Sequence, residues 1–269
     1  MTLKVLIPTY KKTIDEIVSL FSFWNLNSDC IISNQCGYND VIYKSYKGYS
    51  IRIICTDTIG VSVNRNMLMR NLDADIGIFI DDDCSMIDGY QNIILKEFEE
   101  HNADYIIFNG YTDKGSIINK SKKSIRCRKY KQVSHTGGPG IAFTKDAFSY
   151  YKIEFNEKIG TPNMIYLGED SLFAFQLIKK KTKTIKSSCP VFKIINDVFN
   201  SSYFNGYDDQ YFYSKGAINK LVHPRFYKIW KLYYLMVLRR RTKSRFCFIL
   251  KNMKKGEKSI NNGEVVYKL

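Results

Sequence analysis

The 269-residue sequence has no C-x-x-C pair, and its seven cysteines, at positions 30, 36, 55, 84, 127, 189 and 247, are odd in number. This pattern indicates neither a disulfide framework nor a zinc site, and a reduced cytoplasmic setting is the expectation. No segment repeats at a fixed period. No apolar run approaches the roughly 20 residues that a bilayer span takes; the longest, Leu232 to Leu238, is far shorter. A secretory leader pattern is also missing, because the chain runs directly into the strand-like Leu3 to Pro8. Acidic residues are few beside basic ones, 26 against 41, for a formal net charge of +15.

What is present describes a folded globular chain. Hydrophobic residues make up 45% and charged residues 25%, which argues against disorder. Tyrosine and phenylalanine are abundant, 20 and 17, and suit both buried strands and platforms for sugar rings. The positive charge is concentrated: from Arg225 onward thirteen Lys and Arg face only Glu257 and Glu264. The remainder is nearly balanced, so the excess needs a local explanation.

Hydrophobic periodicity alternates between strand and helix. Leu3 to Ile7 reads as a buried strand stopped by Pro8. Thr13 to Trp24 carries Ile14, Ile17, Val18, Phe21 and Trp24 at helical spacing. Strands are expected at Cys30–Ser33, Ser50–Cys55, Asp75–Ile80 and Asp104–Asn109, with helices over Val61–Leu72 and Gln91–His101. Such alternation implies βαβ units and a mostly parallel sheet. Lys114–Lys131 reads as a basic loop or exposed hairpin. Gly137-Gly138-Pro139-Gly140 is a turn before a short strand at Ile141–Thr144, and a helix-rich portion opens at Glu169. The expected division is residues 1–222 as the main domain and 223–269 as a basic amphipathic extension.

The most informative segment is Gly77-Ile78-Phe79-Ile80-Asp81-Asp82-Asp83-Cys84, an apolar strand that ends in three carboxylates. Open parallel sheets bind ligands beyond the carboxyl ends of their strands. On extended backbone, residues i and i+2 share a side, so Asp81 and Asp83 are expected to face one way and Asp82 the other. Two such acids can hold Mg²⁺ or Mn²⁺, which would neutralise a diphosphate and stabilise charge as it leaves. A solvated acidic turn is the bland alternative. Glu169 and Asp170 form a second acidic pair at a helix start. There they favour the helix dipole, or one of them takes a proton from an attacking hydroxyl.

Several pieces in order resemble family 2 glycosyltransferases with the GT-A (Rossmann-like) fold. Leu6-Ile7-Pro8-Thr9-Tyr10 is similar to the family's first-strand motif. Gly60-Val61-Ser62-Val63-Asn64-Arg65-Asn66 is similar to its glycine-then-Arg-Asn helix start, and Phe79 to Asp83 to its D-x-D element. Gly137 to Phe143 is similar to its acceptor-side loop, and Gly168-Glu169-Asp170 to the acidic pair before the last core helix. The resemblance spans roughly residues 3 to 195. It implies an inverting transferase that uses Mn²⁺ or Mg²⁺, with Asp83 as main metal ligand and Asp81 at the metal or the ribose. It further implies Asp170 as base with Glu169 beside it, and Pro8, Thr9, Tyr10, Asp57, Arg65 and Asp82 on the donor side. His135, Gly137 and Gly138 fall on the acceptor side, and His223 where related folds place a metal-binding histidine. Two positions depart from the family. Ser33-Asn34-Gln35 replaces an acidic pair that reads the base, with Gln35 able to bond a uracil edge through its amide. Thr58-Ile59-Gly60 replaces Asn-x-Gly. The implied partners are a nucleotide sugar, with uridine favoured, and a saccharide or lipid-linked saccharide acceptor in bacterial surface polysaccharide synthesis of the capsule or O-antigen type. No nucleic acid is expected.

In the tail, Phe226, Ile229, Trp230, Tyr233 and Val237 recur at helical spacing among Lys and Arg, and Phe246 to Leu250 forms a second apolar patch. A basic amphipathic helix suits an anionic membrane surface, and so a peripheral place at the inner face of the cell membrane. It equally suits a helix packed on the catalytic domain. Two other functions compete: a nucleotidyltransferase on a similar fold, and a membrane- or nucleic-acid-binding module driven by the tail. The first lacks a glycine-rich phosphate loop, since Pro8-Thr9-Tyr10-Lys11-Lys12 has no glycine. The second lacks a recognised nucleic-acid motif.

Overall fold

The computed structural model describes residues 1–118, 122–134, 136–195 and 206–262. Among the described residues a ten-stranded sheet forms the centre, in the order β3-β4-β2-β1-β5-β9-β7-β10-β6, with β8 pairing off this path to β10. The strands are β1 (Leu3–Tyr10), β2 (Asp29–Gln35), β3 (Asp40–Tyr46), β4 (Tyr49–Thr56), β5 (Ile76–Phe79), β6 (Cys84–Met86), β7 (Tyr105–Tyr111), β8 (Ile125–Arg126), β9 (Ile141–Thr144) and β10 (Thr184–Ile194). Strands β4, β2, β1 and β5 run parallel to one another, as do β7 and β10. β9 lies antiparallel between β5 and β7 and joins the two halves. Six of the ten strands therefore share one direction, and the sheet is mostly parallel, as expected.

Alternation along the strands builds a core on each face. Val5, Ile7, Ile76, Ile78 and Ile80 pack with Ile17 of α1 (Ile14–Ser19), with Trp24, and with Tyr90, Ile94 and Phe98 of α3 (Tyr90–His101). Leu6 and Phe79 point the other way, onto Leu68 and Met69 of α2 (Val61–Arg70), Ala147 of α4 (Lys145–Tyr151) and Phe173 and Leu177 of α5 (Glu169–Lys179). A Cβ on Gly77 would crowd Leu6, Leu72 and Phe143, so the absence of a side chain there lets these residues close over β5.

Three segments differ from the periodicity reading. The helix expected over Thr13–Trp24 is regular only to Ser19 and continues as turns. These carry Trp24 into the core, where its Nε1 donates to the Asp82 carbonyl at 3.1 Å. β3 adds an antiparallel edge whose side chains are mostly exposed, so it lacks the apolar run that marks a buried strand. β10 interrupts the helix-rich portion after Glu169. Pro190 lies where its register with β7 shifts, a position that tolerates proline. Within Lys114–Lys131 the described residues include β8 and the start of a 3-10 turn at Tyr130–Gln132.

The C-terminal part is helical: α6 (Asp209–Val222), α7 (Tyr227–Thr242) and α8 (Phe246–Asn261). α6 and α8 meet at glycines. A Cβ on Gly216 would strike the Met253 backbone, and one on Gly256 the Tyr213 backbone. This close approach packs Phe212 of α6 with Ile249 and Met253 of α8 and Leu235 and Leu238 of α7. Among the described residues no helix is long and apolar enough to cross a membrane.

Candidate active site

The acidic run leaves the sheet at the carboxyl end of β5, beside β1. Its backbone does not stay extended. The Cys84 N–H donates to the Asp81 carbonyl at 3.0 Å, which closes a turn over Asp81–Cys84. The extended backbone on which the i, i+2 argument rests is therefore absent over Asp81–Cys84. Asp81 Oδ1 accepts from Arg65 Nη2 at 3.1 Å. Asp82, expected to face away, pairs with Lys12 of the β1–α1 loop at 3.3 Å. Asp83 has no cation partner among the described residues. Burial and the neighbouring Asp81 and Asp82 charges push its pKa above the usual carboxylate range. Burial also raises that of Asp82, against the pull of Lys12.

Arg65 is the centre of the site. It sits on α2, is only 4% exposed, and reaches both acidic elements. Nη1 lies 2.7 Å from Asp170 and 3.4 Å from Glu169, while Nη2 holds Asp81. Burial opposes its charge, but Asp170, Asp81 and Glu169 outweigh that and keep it firmly protonated. Asp170 and Glu169 form the first turn of α5, entered through Gly168 in the left-handed conformation. Burial raises the Asp170 pKa well above the carboxylate range and outweighs the lowering by Arg65; repulsion from Glu169 and Asp81 adds to the rise, and a backbone hydrogen bond from Gly138 opposes it. Gly138 itself lies against Arg65, where a Cβ would collide with the guanidinium.

Buried amides hold the remaining loops. Thr9 is buried and its hydroxyl donates to Asn34 Oδ1 at 3.1 Å. The Asn34 amide donates to the Lys12 carbonyl at 2.7 Å, and that of Asn64 to the Thr9 carbonyl at 2.9 Å. Pro8 is half-buried; Tyr10 is exposed beneath Lys11, and Asp57 is exposed. The amide of Gln35 is committed at both ends, accepting from the Gly60 N–H and donating to the Gly60 carbonyl, each at 3.1 Å. Reading a base edge would require it to give up these bonds. Gly60 has φ of 123°, a conformation that L side chains rarely adopt, and it starts α2. Sequence reasoning gave no role to Lys12, Asn34 or Asn64; a signal existed only for Asn64, in the polar run Asn64-Arg65-Asn66 on α2.

Other expected residues lie elsewhere. His223 ends α6, stacked on Trp230 with ring centroids 4.4 Å apart and met edge-on by Tyr130. It does not join Asp81 and Asp83: among the described residues no three His, Cys, Asp or Glu side chains gather as a metal-binding group. Gly137 is exposed beside buried Gly138. His135 lies outside the described residues. Lys215 of α6 stacks over Tyr211 at 5.3 Å. Its pKa is lowered by burial and by Arg241, with Glu169 opposing.

The family model described as Glycosyl transferase family 2 matches residues 4–160, more than half of the chain. None of the curated proteins matches the chain by sequence. Among solved structures, residues 1–349 of TarS from S. aureus share the fold with a TM-score of 0.60 at 15% identity. The match covers 98% of this chain and 92% of that one. The same portion of TarS in complex with UDP-GlcNAc gives 0.62 at 13% identity over the same shares.

Proposed function

We propose that this chain, which belongs to glycosyl transferase family 2, moves a sugar from a uridine-diphosphate sugar to a hydroxyl of a saccharide or lipid-linked saccharide, with inversion at the anomeric carbon. The observation that carries the reading is the Arg65 bridge, one guanidinium bonded both to Asp81 of the donor-side turn and to Asp170 of the acceptor-side helix. The bridge ties the donor-side turn to the acceptor-side helix through one side chain, so a diphosphate held at the turn would lie on the same side of the sheet as a hydroxyl held at Asp170. The likeness to a fold solved with UDP-GlcNAc supports uridine as the base.

In this mechanism Asp170 accepts the acceptor hydroxyl proton as that oxygen bonds to the anomeric carbon. The bond from the anomeric carbon to the diphosphate breaks, and its electron pair leaves with the nucleoside diphosphate. A carboxylate of raised proton affinity suits this role, because it takes the proton more readily than an exposed one. Glu169 and Arg65 orient Asp170. Lys12, held by Asn34 and paired with Asp82, supplies positive charge on the donor side.

Asp83 and Asp81 would hold a divalent cation. The fit rests on Asp83 having no cation partner among the described residues while Asp81 and Asp82 raise its proton affinity, and on an all-oxygen donor set that suits Mg²⁺ or Mn²⁺. Such an ion supplies Lewis-acid stabilisation of the leaving diphosphate.

In the same reading residues 1–222 are the catalytic unit, and residues 223–269 are a basic extension docked through α8. The protein would work at the inner membrane face in surface polysaccharide assembly. Incubation with UDP-sugars and Mn²⁺, followed by assay of UDP release, tests the reading. Absence of release and of binding across a panel of nucleotide sugars would overturn it.

A further inference from the structure

As far as Met236, the side of α7 turned away from the protein is apolar. Inward, Leu235 and Leu238 are buried against Phe212, Ile249 and Met253, Lys231 pairs with Glu257 of α8 at 3.0 Å, and Trp230 stacks on His223. With 3.6 residues per turn, Ile229, Leu232, Tyr233 and Met236 fall on the opposite side. These four and Phe226 are between 51% and 69% exposed. A stripe of large apolar side chains in water marks a contact surface.

Charge selects the occupant. α7 has no acidic residue; Lys228, Arg239, Arg240 and Arg241 lie on it, and Lys243 and Arg245 follow. A second copy of the same face would bring like charge against like. A nucleic acid would use the cations but not the aliphatic stripe. An anionic lipid surface uses both, with apolar side chains at the headgroup–acyl boundary and Lys and Arg at the phosphates.

We propose that α7 is a membrane-seating helix that lies in the plane of an anionic bilayer, with Phe226, Ile229, Leu232, Tyr233 and Met236 inserted. This deepens the peripheral placement in the proposed function, with a stripe that differs from the helical spacing in the sequence: Leu232 and Met236 belong to it, whereas Trp230 is engaged on His223 and Val237 is less exposed.

Sedimentation with vesicles tests the proposal, using the full chain with phosphatidylglycerol–phosphatidylcholine mixtures and with phosphatidylcholine alone. Binding to the anionic vesicles is expected, weakened by salt. The double variant Ile229→Asp/Met236→Asp should lower partitioning by roughly tenfold or more, with thermal unfolding and UDP release in solution unchanged. Absence of binding to anionic vesicles, or binding that the double variant leaves intact, would overturn the proposal. So would a lipid-free dimer, seen by sedimentation velocity, that the same substitutions dissociate. UDP release is read separately, so a chain that seats on vesicles but releases no UDP from any nucleotide sugar would defeat the transferase reading alone.

Discussion

Gly138 lies against the guanidinium of Arg65 so closely that a single added methyl group would occupy the same space. Gly138→Ala should therefore displace Arg65 from Asp81 and Asp170 while leaving both acids, and the backbone group that Gly138 offers Asp170, in the chain. A loss of order 10²-fold in kcat is expected, the scale of an ångström-sized misplacement. Steady-state kinetics with a UDP-sugar would check this. Unchanged turnover would mean that the bridge does not organise the site.

Asp170→Asn removes the proposed base but keeps the shape. It should lower kcat by about 10²–10⁴-fold and leave UDP binding measurable by calorimetry. Burial raises the Asp170 pKa, so in the wild type kcat/KM should climb with pH through an ionisation above the ordinary carboxylate range, and the variant should lack that limb. The folded state binds this proton more tightly than the unfolded chain. Its stabilising contribution is therefore full at low pH and is lost as pH rises through the raised value.

Asp83→Asn should weaken Mn²⁺ affinity by about tenfold to a hundredfold or more, because it neutralises a proposed direct ligand. Mn²⁺ titration in the presence of UDP, followed by calorimetry or electron paramagnetic resonance, would measure the change. An affinity equal to that of the wild type would remove Asp83 from the cation site.

Gly256→Leu puts a side chain where the Tyr213 backbone lies. Overpacking of this kind costs about 1–3 kcal/mol or more, so thermal unfolding should begin several degrees lower. The effect should spread beyond α8, since α6 also packs Ile218 against Gly168 at the start of α5. A melting curve identical to the wild type would mean that α6 and α8 separate easily.

The sequence displays what depends on periodicity. β1 and β5 are visible because both of their faces are buried, and the acidic run stands out because charge follows four apolar residues without a break. What it hides depends on backbone path. The i, i+2 argument for Asp81 and Asp83 presumes extended chain, and the Cys84-to-Asp81 hydrogen bond replaces that with a turn. Gln35 has the right chemistry for a base edge, but Gly60, 25 residues on, takes up both ends of its amide. Arg65 reads as one residue of a helix start; that it joins two acidic elements, one of them more than a hundred residues away, appears only when α2 and α5 are packed together. β3 is hidden for the opposite reason, being too exposed to carry an apolar signal.

The chain has two tryptophans, and their placement makes the protein its own optical reporter. Trp24 is anchored to the backbone of the acidic turn, and Trp230 is stacked on His223 at the foot of α7. With Trp230→Phe, the remaining emission comes from beneath the donor side and should respond to nucleotide and cation. With Trp24→Phe it comes from the tail and should respond to lipid, and to pH through quenching by the His223 imidazolium. Occupancy at one end of the molecule can then be followed without a label while the other end is varied.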